Sequence, residues 1–183
     1  MFIKKRIFSD ILLDDIDYEL DGKEERPAAI RSSNKDGRAL EIKPEVRSAA
    51  LIPLDHSNFP DFNKKVEELC GEFDDKQLPE NLEVREMEYL RYGLTDHFRK
   101  HQDVGSATKK KYPRRYTSIT MLSKTDDMVG GQLSVFEGDK EHVVDLQVGE
   151  TVVFFSTSWH QVTAVTKGGR EVLVAWVYDK LDS

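Results

Sequence analysis

A single cysteine, Cys70, among 183 residues excludes any disulfide within the chain. The disulfide-stapled design of small secreted domains is excluded with it, and a reducing compartment fits. No activating partner flanks that thiol in "VEELCGEF". A buried apolar role near a helix end is expected rather than a catalytic thiolate. Long apolar runs are also missing: nothing approaches the ~20 residues of a membrane span. The opening "MFIKKRIFSDILLDDIDYEL" carries a short basic run, but acids interrupt it before an apolar signal core forms. A cytoplasmic, intracellular location without a membrane partner is the expectation. Positive charge is in deficit, 27 basic residues against 34 acidic, for a formal −7. Broad affinity for nucleic acid is therefore disfavoured, although a local basic patch could still act. Internal repeats and low-complexity tracts are absent.

What is present is 38% hydrophobic and 33% charged, the composition of a globular chain with a polar surface. The length suits one domain, residues 1–183, with a sizeable core. Texture divides it into an N-terminal helical and strand support, 1–80, and a β-rich core, 81–180. In the first part, "SNFPDFNKKVEELCGEF" (57–73) reads as a helix. Ser57 or Asn58 is the expected N-cap, Pro60 suits the first turn, and Phe62, Val66 and Leu69 share a face. After residue 80 the period shortens to two. Strands are expected over 82–92, 115–123, 130–138, two or three between 141 and 165, and 170–178. The fold class is mainly β with flanking helices, a sandwich or barrel braced on one side by an N-terminal α/β segment.

The chemistry starts at "RKHQDV" (99–104), where His101 and Asp103 stand two apart. In a strand such residues project from one face. His160 sits in "FFSTSWHQVTAV", where a strongly apolar strand ends, and ten residues later Arg170 opens "REVLVAWVY". The turn "TKGG" is expected to make the segments around His160 and Arg170 antiparallel neighbours. Period two puts Arg170, Val172, Val174 and Trp176 on one face, and an arginine in so apolar a strand needs an anion to offset its burial. Two histidines and a carboxylate form the facial triad of non-haem Fe(II) oxygenases. The arginine would then hold the far carboxylate of a keto-acid chelating the iron. Lys167 also lies near that turn, but Arg170 shares the face of Trp176. His97 and His101 stand four apart, a zinc spacing on a helix, yet no glutamate follows His97 as in HExxH. His56, His97 and His142 read as solvated or locally satisfied.

Those residues, in that order, resemble the 2-oxoglutarate and Fe(II)-dependent oxygenases, in their prolyl 4-hydroxylase-like branch. The resemblance runs from "YLRYGLTDHFRKHQD" to "REVLVAWVY" and includes Tyr92-Gly93, His101-x-Asp103, Arg115, Gly130-Gly131-x-Leu133, Gly149, His160-x-Val162 and Gly169-Arg170. It implies a double-stranded β-helix, a cupin-like jelly roll, and an enzyme using Fe(II), 2-oxoglutarate and O2, with ascorbate as reductant. His101, Asp103 and His160 would bind iron, and Arg170 the distal carboxylate of 2-oxoglutarate. Tyr92, Ile119, Leu133 and Trp176 would line the pocket, Tyr92 and Trp176 reading equally well as core. The substrate would be a prolyl residue in a peptide or a free small molecule. Met121 stands where family members often carry a tyrosine that holds the co-substrate carboxylate. Thr117 or Tyr92 supplies that donor instead, or the co-substrate is held weakly. In the loop 102–116, the basic run that includes Lys109, Lys110, Lys111 and Arg114 reads first as a solvated loop, and alternatively as a surface facing an anionic or acidic substrate. Two other classes stay open: a non-catalytic jelly-roll module binding a ligand or protein, and a cupin-like metal enzyme without a keto-acid.

Overall fold

The long strands explain themselves once both of their faces are found covered. In the last of them, β14 (Arg170–Asp179), Val172, Val174, Trp176 and Tyr178 enter one buried cluster, and Leu173, Ala175 and Val177 a second on the opposite face. A strand buried on both sides reads as a continuous apolar run. The computed structural model describes residues 1–8, 10–34, 37–103 and 114–180. In order these form β1 (Phe2–Arg6), α1 (Asp10–Leu20), β2 (Arg26–Pro27), β3 (Ile30–Asn34), β4 (Gly37–Glu41), β5 (Arg47–Ser48), β6 (Ala50–Leu54), α2 (Pro60–Phe73), β7 (Leu82–Tyr92) and β8 (His97–His101). Then follow β9 (Tyr116–Lys124), β10 (Leu133–Glu137), β11 (Lys140–Val144), β12 (Glu150–Phe155), β13 (His160–Val162) and β14.

Two antiparallel sheets face each other, with strand orders β1-β12-β9-β14-β7-β6-β2 and β11-β10-β13-β8-β5, while β3 and β4 pair as a separate hairpin. Between the sheets lies an apolar interior that includes Tyr92, Ile119, Met121, Leu133 and Trp176. On the other face of the larger sheet, α1 contributes Leu12 and Ile16, and α2 contributes Phe62, Val66, Leu69 and Cys70. The spacing of those α2 positions makes one stripe, and each large side chain so buried stabilises by about 1.5–3 kcal/mol. The N-terminal segment also supplies both edges of the larger sheet: β1 pairs with β12 at one, and β6 pairs with β7 and carries β2 at the other. Among the described residues no helix is long and apolar enough to cross a membrane.

Two local expectations are corrected. The N-cap of α2 is Phe59, not Ser57 or Asn58, because His56–Asn58 form their own 3₁₀ turn. Asp55 caps that turn by accepting from the Ser57 amide at 3.0 Å. More consequentially, the segments around His160 and Arg170 are not neighbours. β13 pairs with β10 and β8, whereas β14 pairs with β7 and β9 in the opposite sheet. The connection between them crosses from sheet to sheet, held by Val165 N donating to Asp96 O (3.0 Å) and Thr166 N to Val129 O (2.8 Å). His160 and Arg170 therefore stand on opposite sheets instead of lying side by side.

Gly130 sits at φ +78°, and a Cβ there would lie 2.0 Å from the Ala164 carbonyl oxygen. Both the left-handed backbone and the contact with that crossing segment require glycine. Gly130→Ala is expected to cost about 3 kcal/mol or more. Thermal denaturation should show a Tm lower by roughly 6–12 °C.

Candidate metal centre

A β-bulge aims the first histidine. Between β13 and β8, His160 pairs with His101 and Val162 with Phe98, so three residues of β8 span what two of β13 span. The extra residue turns His101 onto the face of Phe98. The two rings stack with centroids 3.4 Å apart and an interplanar angle of 19°. His160 lies directly across, 4.1 Å centroid to centroid. Asp103 follows β8 and is fixed by its own backbone: its N–H donates to Ser156 O at 3.0 Å. Its carboxylate lies 3.5 Å from His101 Nε2 and 3.6 Å from His160 Nε2. One donor atom from each of the three residues falls within 4.8 Å of the others.

The tautomers follow from the outer contacts. His101 Nδ1 lies 2.7 Å from Arg99 O, and His160 Nδ1 3.0 Å from Ser158 O. A carbonyl only accepts, so each Nδ1 carries the proton and each Nε2 presents a lone pair to the cluster centre. Asp103 Oδ2 accepts from Thr117 Oγ1 at 2.7 Å and from Trp176 Nε1 at 2.9 Å. Burial resists ionisation of Asp103, but the imidazoles of His160 and His101 and the donated bonds outweigh it and hold the carboxyl well below the usual carboxylate range. Burial pulls His160 down to about 4, against the opposing pull of Asp103. A neutral His160 and an ionised Asp103 are thus the resting forms at neutral pH. This donor set fits Fe(II) and leaves three of six positions open.

The sign of the pH dependence follows. His160 binds its proton less readily folded than unfolded, so its share of stability is complete above about 6.5 and is lost as pH falls toward 4. Asp103, depressed further, loses its share only below the ordinary carboxylate range. The metal-free protein is expected to lose stability on acidification from pH 7 to 4.5, on the order of 2–3 kcal/mol from His160. Denaturant melts across that range would show it, and a flat profile would contradict it.

Arg170, at the start of β14, is 3% exposed. Among the described residues its guanidinium meets no carboxylate and its Nε has no acceptor. Its nearest aromatic is Tyr92, with Cζ 5.0 Å from the ring centroid. Burial lowers its proton affinity, countered by Tyr92. A buried cation without an anion is costly, and this one is shaped to receive a carboxylate. Lys167, the other cation near that turn, is exposed and paired with Asp127 at 3.1 Å. The two donors considered in place of a tyrosine at 121 separate cleanly. Thr117 spends its hydroxyl on Asp103 and on Ser156 (3.0 Å), far along β9 from Met121. Tyr92 is the one at the end of the interior where Arg170 lies.

Tyr92, Ile119, Leu133 and Trp176 all line the interior between the sheets. Lys109, Lys110 and Lys111 lie outside the described residues. Arg114 is turned inward, its Cζ 3.9 Å from the Trp176 ring centroid. His97 and His101 close a strand rather than a helix face, and His97 contacts carbonyls of Thr95 and Glu45. His142 Nε2 is buried without a hydrogen bond, 3.6 Å from Glu137. Cys70 is fully buried, and burial pushes its thiol up, as an inert apolar role requires. The roles of Thr117 and Trp176 toward Asp103 escaped the sequence reading. Period two had placed both on interior faces, but nothing in the order 103, 117, 176 says that they meet.

A jelly roll holding two imidazoles and a carboxylate between its sheets, opposite a buried arginine, defines the non-haem iron oxygenase class. The comparisons agree. Residues 87–178 match the model of the 2OG-Fe(II) oxygenase superfamily, and the chain belongs to that family. It is 33% identical over 93 residues to a PKHD-type hydroxylase of Caulobacter vibrioides, spanning 49% of this chain and 41% of that protein. The chain thus covers less than half the length of that relative. A Pseudomonas putida prolyl-4-hydroxylase superposes with TM-score 0.70 at 19% identity, covering 99% of this chain and 93% of that one. A viral collagen prolyl hydroxylase of Paramecium Bursaria Chlorella virus-1 gives 0.65 at 16%, covering 98% and 96%. At such identities these two likenesses establish the fold.

Proposed function

We propose that this chain is an Fe(II)- and 2-oxoglutarate-dependent hydroxylase. His101, Asp103 and His160 hold the iron, and Arg170 holds the distal carboxylate of 2-oxoglutarate with help from Tyr92. The observation that carries this reading is the pairing of a three-donor cluster with a buried, anion-less arginine inside one jelly roll. When bound, iron and 2-oxoglutarate supply the oxidising chemistry of O2, giving succinate and CO2 and leaving one oxygen atom on the substrate.

The protein's own share is positional. Carbonyl acceptors fix both imidazole tautomers, Thr117 and Trp176 fix the carboxylate, and Ile119, Leu133 and Trp176 wall the co-substrate from water. Residues 1–80 and 81–180 act as one unit in this reading, supported by β1 and β6 completing the larger sheet. A prolyl residue in a peptide is the favoured substrate, by analogy with the prolyl hydroxylases of like fold.

The test is succinate release from 2-oxoglutarate with Fe(II) and ascorbate, coupled to mass spectrometry of prolyl peptides and of small metabolites. A +16 mass change on a peptide supports the full reading, and one on a metabolite moves the substrate class. No turnover together with no 2-oxoglutarate binding would leave the chain a non-catalytic jelly roll.

A further inference from the structure

The metal-proximal carboxylate is gripped by a unit that reaches well beyond its two hydrogen bonds. Arg114 stacks its guanidinium on the Trp176 indole, 3.9 Å from the ring centroid. The same guanidinium donates through Nη1 to the Asp103 carbonyl oxygen at 3.3 Å and through Nε to Tyr178 Oη at 3.2 Å. Its Nη2 donates to Glu86, which also accepts from the Tyr178 hydroxyl. Trp176 and Tyr178 are 6% and 4% exposed, so the ring end of this network is buried, while the Glu86 carboxylate closes it at the surface with 34% of its side chain exposed. Burial works against the charge of Arg114, but its bond to Glu86 prevails and its proton affinity is raised. It stays a cation.

From this we infer that Arg114, anchored by Glu86 and Tyr178, is a positioning residue for the Asp103 ligand. It holds Asp103 twice, directly by the main-chain carbonyl and indirectly through the indole that donates to Oδ2. A cation over an indole face fixes the ring plane and strengthens its N–H as a donor. Oδ2 is thereby engaged by Trp176 and Thr117, while Oδ1 faces His101 Nε2 at 3.5 Å. The guanidinium is committed to neighbours on three sides, which makes it a clamp for the ligand rather than a free contact for substrate. The inference rests on the ligand assignment proposed above.

The experiment measures metal affinity, not turnover alone. Anaerobic Fe(II) titrations compare wild type, Arg114→Gln, Glu86→Gln, Trp176→Phe and the Arg114→Gln/Trp176→Phe pair. Loss of such an outer partner costs about 10–100-fold in metal affinity, and that loss is expected for Arg114→Gln and, less severely, for Glu86→Gln. The pair should lose less than the sum of the two single losses, because part of the Arg114 grip runs through the indole that Trp176→Phe removes, while the direct bond to the Asp103 carbonyl is lost in both Arg114 variants. In the metal-free protein the Trp176 indole N–H resonance, one of two since the chain has two tryptophans, should shift in Arg114→Gln. Additive losses in the pair, or an unchanged affinity with a raised substrate KM, would overturn the inference in favour of a direct substrate contact. If wild type binds no Fe(II), the ligand assignment itself fails, a result distinct from these. Should Arg114→Gln not fold, Glu86→Gln reads the same coupling through the same indole resonance.

Discussion

His160→Ala is expected to abolish turnover and to weaken Fe(II) binding beyond the roughly 100-fold that losing an outer partner costs. His160 is 3% exposed and offers Nε2 to the cluster while its Nδ1 proton is held by the Ser158 carbonyl. Alanine removes one of three donors, and no other histidine can take its place: His97 is occupied by carbonyls and His142 lies on β11, two strands away from β13. The fold should persist, since Phe154 and His101 still pack beside the vacated ring. Calorimetric Fe(II) titration with a circular dichroism control checks this. Retained affinity in His160→Ala would remove the residue from the metal sphere.

Arg170→Met should separate stability from function. In the metal-free, co-substrate-free protein the guanidinium is buried, with Nε unpartnered. Replacing a poorly compensated buried charge by an apolar chain of similar length is neutral or stabilising, here by about 1–2 kcal/mol. The Tm should then rise by roughly 2–8 °C. Yet 2-oxoglutarate affinity should fall by the 2–5 kcal/mol typical of truncating a buried charge pair, about 30-fold to several thousand-fold. Fe(II) affinity should stay near that of wild type, because Arg170 meets none of the three donors. Differential scanning calorimetry beside a 2-oxoglutarate titration of the metallated variant reads both arms. A lower Tm with unchanged co-substrate affinity would make Arg170 a structural residue only.

The strands were legible in the sequence because each carries a periodic or continuous apolar signal, and β7, β9 and β14 fall within a residue of their expected bounds. The site was legible because its polar residues interrupt those signals: an arginine opening "REVLVAW", a histidine ending "VVFF", and His-x-Asp before a basic loop. Sheet assignment was not legible. A seven-residue link, 163–169, with two glycines reads equally as a hairpin or as a crossing, and only the bonds of Val165 and Thr166 to distant carbonyls decide for the crossing. The partners of Asp103 were invisible for the same reason. Thr117 and Trp176 reach it from separate strands, and the Arg114 clamp depends on Glu86 from a third. The bulge that turns His101 toward Phe98 likewise has no local sequence mark.

The central claim is that iron and 2-oxoglutarate meet in one site built by His101, Asp103, His160 and Arg170. Its most direct measurement is anaerobic addition of 2-oxoglutarate to the Fe(II)-loaded protein, followed by visible absorption. Chelation of Fe(II) by the keto-acid should give a charge-transfer band that saturates at one equivalent in wild type, is lost in His160→Ala, and requires far more 2-oxoglutarate in Arg170→Met. No band in wild type at saturating 2-oxoglutarate, or the same band in His160→Ala, would contradict it.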